Sequence, residues 1–131
     1  MSSSTDFSKL PLCPQSPNCV SSESSNSDQR ISPLRFTGIS PDQAMVILKH
    51  VLLTLTNQVQ ERDNGSGLHA EVKSSVFGFV DEIDALLNPD RNQIDIRSAS
   101  RTGYYDFGVN RRRIEQIRND FDKRVMQAQK T

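Results

Sequence analysis

A chain of 131 residues allows one domain rather than two. Its 16 basic and 16 acidic residues cancel. No run approaches the ~20 apolar residues of a membrane helix, so no transmembrane segment is expected. The charges are unevenly placed: residues 41–90 carry 3 basic and 8 acidic groups, residues 91–131 carry 10 and 5. An acidic middle and a basic final third either neutralise each other across one sheet or leave an anion-binding surface.

Residues 1–30 are serine-rich and poor in large apolar side chains, so most are expected to be disordered. The exception is a stiff arm within residues 10–22, where Pro11, Pro14 and Pro17 exclude helix. Its Cys13 and Cys19 are spaced Cys-x5-Cys. That spacing is not a zinc knuckle and leaves a disulfide or a thiol pair open, with thiols favoured in a reducing cytosol. No metal site is expected. The single folded domain is placed at 31–131, roughly one hundred residues, enough for a small two-layer core.

Ile31–Phe36 reads as a short extended segment. Ser40 and Pro41 fit the N-cap and first position of a helix. Ala44, Ile47, Leu48, Val51, Leu52 and Leu55 recur at helical spacing, carrying it to about Asn57. His50 lies beside this stripe. Residues 58–62 and 68–74 read as a hairpin around Asp63-Asn64-Gly65-Ser66-Gly67. In the second strand Leu68, Ala70 and Val72 form the buried face; His69, Glu71 and Lys73 form the wet one. Val76–Leu87 fits helix or strand by periodicity. The turn at Asn88–Asn92 and the following strand, 93–101, favour a hairpin. The last helix is expected from about Val109 to Gln127, burying Ile114, Ile117, Phe121 and Val125.

Matching the apolar faces of that second hairpin sets Leu87 opposite Ile94, Ala85 opposite Ile96, Ile83 opposite Ser98 and Asp81 opposite Ser100. Asp84 then faces Arg97 on the outer side, an ion pair worth up to about 1 kcal/mol. The inner face turns polar at Asp81, Ser98 and Ser100 and leads through Arg101 into the glycine-bounded turn Gly103-Tyr104-Tyr105-Asp106-Phe107-Gly108. Arg111, Arg112 and Arg113 follow at the positive end of a helix dipole, where an exposed cation costs roughly 0.3–1 kcal/mol. Free backbone N–H groups and guanidinium forks together make an anion site. The alternative is structural: the arginines pair with Asp81, Asp106 and Glu115 and lock helix to sheet. Candidate ligand contacts are Asp81, Ser98, Ser100, Arg101, Tyr104, Asp106, Asn110, Arg111 and Arg113. Asp106-Phe107-Gly108 spells a kinase tripeptide without the rest of a kinase, and no Gly-x-Ser-x-Gly elbow accompanies the serines, so no catalytic residue is assigned.

Two stretches together resemble the family known as domain-of-unknown-function family 1499: 13–22 (CPQSPNCVSS) and Arg97-Ser98-Ala99-Ser100-Arg101-Thr102-Gly103 with Asp106-Phe107-Gly108-Val109-Asn110-Arg111-Arg112-Arg113-Ile114. His69-Ala70-Glu71 and Phe79-Val80-Asp81 fit the same pattern, and the likeness covers about 10–121. A serine-rich insert after Val20 departs from it. The resemblance implies a bacterial, including cyanobacterial, or plastid setting. It carries over no activity, because none is established for the family, and draws attention to Arg97, Ser98, Ser100, Arg101, Asp106, Asn110 and Arg111.

The expected fold is α+β: a four-stranded, mainly antiparallel sheet with two helices packed on one face. The expected function is a non-enzymatic binding module for a small anion or polar ligand at the start of the last helix, without a cofactor. Alternatives are a protein that docks a partner, membrane- or thylakoid-associated, and an enzyme using Asp81 or Asp106. A nucleic-acid partner is not expected, because the basic third lacks a continuous patch. The expected compartment is the cytoplasm, with a plastid or thylakoid-associated one as alternative.

Overall fold

The computed structural model describes residues 9–73 and 78–130. In chain order the elements are β1 Cys19–Ser21, β2 Leu34–Arg35, α1 Pro41–Leu53, β3 Val59–Arg62, β4 Gly67–Lys73, β5 Val80–Asn88, β6 Gln93–Ser100 and α2 Val109–Gln129. The sheet is antiparallel and has six strands, not four. Strands β3 to β6 are the four expected from alternation and make a meander. The two additional strands, β1 and β2, lie end to end along the open edge of β6, Cys19 facing Ala99 and Leu34 facing Ile94. They are short, so no period of two was there to read.

The β5–β6 register places Leu87 on Ile94, Ala85 on Ile96, Ile83 on Ser98 and Asp81 on Ser100, with Asp84 across from Arg97. Of the Val76–Leu87 strand, Val76 and Phe77 lie outside the described residues. Asn92 at φ 50° takes the left-handed position that closes this hairpin, a conformation asparagine tolerates better than most residues.

α1 starts on a capping box. Ser40 Oγ accepts from the Gln43 N–H at 3.1 Å and Gln43 Oε1 accepts from the Ser40 N–H at 3.0 Å. The helix stops at Leu53, short of Asn57. There the Thr54 hydroxyl takes the Val51 carbonyl at 2.6 Å and Thr56 reaches across to the Glu71 carbonyl on β4 at 2.8 Å. The Thr54 hydroxyl thus takes a carbonyl that a longer helix would have used, while Thr56 ties the end of the helix to the sheet.

Leu48, Val51 and Leu52 of α1, Ile114, Ile117 and Phe121 of α2, and the inner-face side chains Ala70, Ile83, Ile94 and Ile96 form one buried cluster with Leu34 and Phe36. Both helices are therefore held by apolar burial rather than by propensity. No helix among the described residues is long and apolar enough to cross a membrane.

The outer face is less wet than alternation implied. His69, expected in solvent, is only 7% exposed; its Nδ1 lies 2.7 Å from Asp84 Oδ1. Alternation assigns a face, not what covers it. Here the N-terminal arm does the covering: Leu10 is buried, and Lys9, Leu10 and Pro11 share a groove with Asp84 and Leu86. Further along, Arg97 Nη2 donates to the Leu12 carbonyl at 3.3 Å, and burial pulls its guanidinium pKa down.

Candidate functional site

The apolar strand β6 ends in serines, and α2 begins where it must meet them. Asn110, with no exposed surface, is the point of contact. Its Oδ1 accepts from the Ser98 hydroxyl at 2.6 Å. Its Nδ2 donates to Asp106 Oδ2 at 2.8 Å, Ser100 Oγ at 3.0 Å and the Asn18 carbonyl at 3.3 Å. A buried amide of this kind is stable only when both ends are paired, as here.

Asp106 closes the helix start. Its Oδ1 accepts the Gly108 N–H at 2.8 Å, and its Oδ2 accepts the Asn110 N–H at 3.2 Å. The carboxylate therefore occupies the anion position that an N-terminal helix dipole favours. The protein supplies its own anion there.

The three arginines separate, as their one-residue spacing requires. Arg113 turns inward, its Nη1 2.5 Å from Oδ2 of Asp81, which is 1% exposed. Asp81 Oδ1 is buried without a hydrogen-bond partner among the described residues. Arg112 Nη1 donates to the Phe107 carbonyl at 2.9 Å, and Arg111 Nη2 to the Asp28 carbonyl at 2.8 Å. The structural alternative thus holds for Arg113 with Asp81. Neither Asp106 nor Glu115 takes one of the three; Glu115 pairs with Arg118 at 3.2 Å.

Arg101 does not join the site. It follows Ser100 onto the opposite face, where Nη2 meets Glu71 at 2.9 Å and Nε meets Glu82 at 2.8 Å. Glu71 and Glu82 face each other across β4 and β5, a repulsive pair that the guanidinium bridges. The hydrogen bond from Arg101 lowers the Glu71 pKa, and the two carboxylates raise that of Arg101.

Cys13 and Cys19 are joined in a disulfide with Cα atoms 5.7 Å apart. The loop it closes holds residues that composition alone does not single out. Asn18 Nδ2 donates to the Gly103 carbonyl at 2.8 Å, and its carbonyl accepts the Ser100 N–H at 3.0 Å. Ser16 Oγ donates to Asn18 Oδ1 at 2.7 Å. The buried Gln29 donates to the carbonyls of Pro14 and Ser16 at 2.7 and 2.8 Å.

Between this loop and the aromatic turn runs an open groove of about 670 Å³, lined by Gln15, Ser16, Pro17, Asn26, Asp28, Tyr104, Tyr105 and Arg111 among others. Tyr104 and Tyr105 are 64% and 62% exposed. The site residues thus sort into two sets. Asp81, Ser98, Ser100, Asp106, Asn110 and Arg113 form the inner scaffold; Tyr104 and Arg111 reach the groove, whose wall Asp106 also touches. Asp28 and Tyr105 belong to the groove too. Tyr105 was legible as its neighbour's twin, whereas nothing local marks Asp28.

His69, Glu82 and Asp84 place one ligand atom each within 4.8 Å of one another. Arg101 holds Glu82, while Arg62 and Arg97 lie 3.8 and 3.7 Å from Asp84, so three guanidinium groups already balance these carboxylates.

No curated protein and no solved structure matches the chain. The family model described as "Protein of unknown function (DUF1499)" matches residues 9–121, from the arm through the aromatic turn into α2. The chain therefore belongs to that family.

Proposed function

We propose that this protein is a non-enzymatic binding module that takes a small polar ligand in the groove at the start of α2. The observation that carries the reading is the exposed pair Tyr104 and Tyr105, held over the groove by a turn whose neighbours Asp106 and Asn110 are fully bonded inside. Aromatic side chains beside a few open polar groups are the usual lining of a small-molecule site. The polar half of the expectation is favoured over the anionic half. Arg111 is offset by Asp28 in the groove lining and by Asp106 beneath it. A non-enzymatic role is supported by the serines, which are engaged by Asn110, while His69 bonds Asp84 on the opposite face of the sheet and His50 is exposed on α1.

The test is a ligand-observed NMR screen of the full chain against mixed polar metabolites, repeated on Tyr104→Ala and Arg111→Ala. Binding that both variants weaken supports the reading. Hits that ignore both variants, or no hits at all, refute it.

A second reading, docking of a protein partner, rests on Phe107. Its ring is 62% exposed, 5.5 Å from that of Tyr105, on a backbone at φ 55°. Bulky residues adopt that conformation at a cost of order 1–3 kcal/mol, typically where function retains it. Cross-linking in native cells that recovers a partner from the wild type but not from Phe107→Ala would favour it over the first.

A further inference from the structure

We infer that the ligand of this groove is a neutral sugar, bound by ring stacking on Tyr104, since Tyr105 already packs on Phe107, and by its hydroxyls at Arg111, Asp28 and Asn26. The inference rests on the polar-ligand reading and narrows its chemistry.

Arg111 uses one guanidinium nitrogen, Nη2, on the Asp28 backbone carbonyl, and its Nε and Nη1 carry no hydrogen bond among the described residues. The Asp28 carboxylate, the Asn26 side-chain amide nitrogen and both tyrosine hydroxyls also carry no hydrogen bond among the described residues. A carboxylate only accepts and a guanidinium only donates. A ligand in this groove that satisfies both must itself donate and accept. Vicinal hydroxyls do so.

Charged ligands fit worse. A carboxylate or phosphodiester accepts without donating, and any phosphate would bring negative charge against Asp28 with Asp106 already filling the helix N-terminus. An ammonium donates without accepting, and would face Arg111. The phenol rings need an apolar surface to cover them, and the C–H face of a sugar ring supplies one without charge. Aromatic surface exposed this far gains from such coverage. The groove is open, so binding to a single short saccharide is expected to be weak, with Kd on the order of 1 mM.

The experiment is a titration of the uniformly labelled full chain, followed by amide NMR, with trehalose, maltotriose, cellotriose, adenosine and inorganic phosphate as separate probes. At least one saccharide should shift the amides of Gly103 to Asp106 and of Arg111 saturably. Tyr104→Ala and Asp28→Asn should each weaken that binding roughly tenfold, about the worth of one stacked ring or one good hydrogen bond. Both side chains are exposed, so the unfolding midpoint should stay unchanged. Adenosine or phosphate shifting these amides while the saccharides do not overturns the sugar and leaves the polar-ligand reading standing. Silence from every probe also overturns the sugar. Silence in the wider metabolite screen as well overturns both.

Discussion

Asn110 ties three separate parts of the chain together, and its removal should be costly. In Asn110→Ala the fully buried Ser98 hydroxyl loses its acceptor, Asp106 loses a donor at 2.8 Å, and Ser100 loses one at 3.0 Å. At about 1 kcal/mol net for each neutral bond, and somewhat more for the one to a carboxylate, the loss comes to about 3 kcal/mol. With a urea m-value of about 2 kcal/mol/M the unfolding midpoint should fall by about 1.5 M at constant slope. Asn110→Asp keeps the volume and the Ser98 acceptor but sets a second carboxylate against Asp106. It should cost at least as much at neutral pH and recover part of the loss as the pH falls through the carboxylate range. Gln116→Ala, at an exposed site on the same helix, should stay within about 0.5 kcal/mol. An Asn110→Ala loss under about 1 kcal/mol would refute the reasoning, because the network would then add nothing beyond exposed hydrogen bonds.

Three further outcomes follow from the geometry. Arg113→Ala leaves the Asp81 carboxyl group, 1% exposed, without its partner and should lose about 3–5 kcal/mol in thermal unfolding; Arg113→Leu with Asp81→Leu should lose clearly less, and equal losses would contradict the account. Reducing the Cys13–Cys19 disulfide, which spans a sequence separation of 6, should cost about 2 kcal/mol by loop entropy, read as a lower urea midpoint with added dithiol; Cys13→Ser with Cys19→Ser should match it. The Arg101 hydrogen bond depresses the Glu71 pKa below its ordinary 4.5, so that contribution is present at neutral pH and disappears as the pH falls through the folded-state value. Glu71→Gln should therefore flatten the acid limb of the stability profile; Glu23, raised by burial, contributes a slope of opposite sign that Glu23→Gln should remove.

What was legible in the chain was local. The β5–β6 register follows from one tight turn and a period of two, so Leu87 on Ile94 and Asp81 on Ser100 could be written down in advance. The α2 stripe of Ile114, Ile117, Phe121 and Val125 is equally local. Asn18 was illegible because its partners, Ser100, Gly103 and Asn110, come from 82 residues onward, and no periodicity spans that distance. The anion expectation stopped at the arginines and the dipole. It took Asp106, two residues before the N-cap Gly108, for a ligand contact or an arginine partner, whereas its carboxylate accepts from the N–H groups of the helix start. Arg101 was grouped with Ser98 and Ser100 by nearness in sequence, although strand alternation already turned it to the other face.

The open edge of β6 is closed by two fragments from the beginning of the chain. From Val59 to Ser100 the sheet is a meander in which each strand pairs with the next, so its contacts form between neighbours. β1 is different: Cys19 pairs with Ala99, and that pairing cannot begin on the ribosome until Ala99 has been made. Until then the first strand has no template, and bringing it home carries the entropy of closing a long loop. The disulfide is local by contrast and needs nothing from the rest of the fold. A chain oxidised at Cys13 and Cys19 can therefore deliver that first strand as a pre-bent hook, while a reduced one must shape and dock the segment in a single late step.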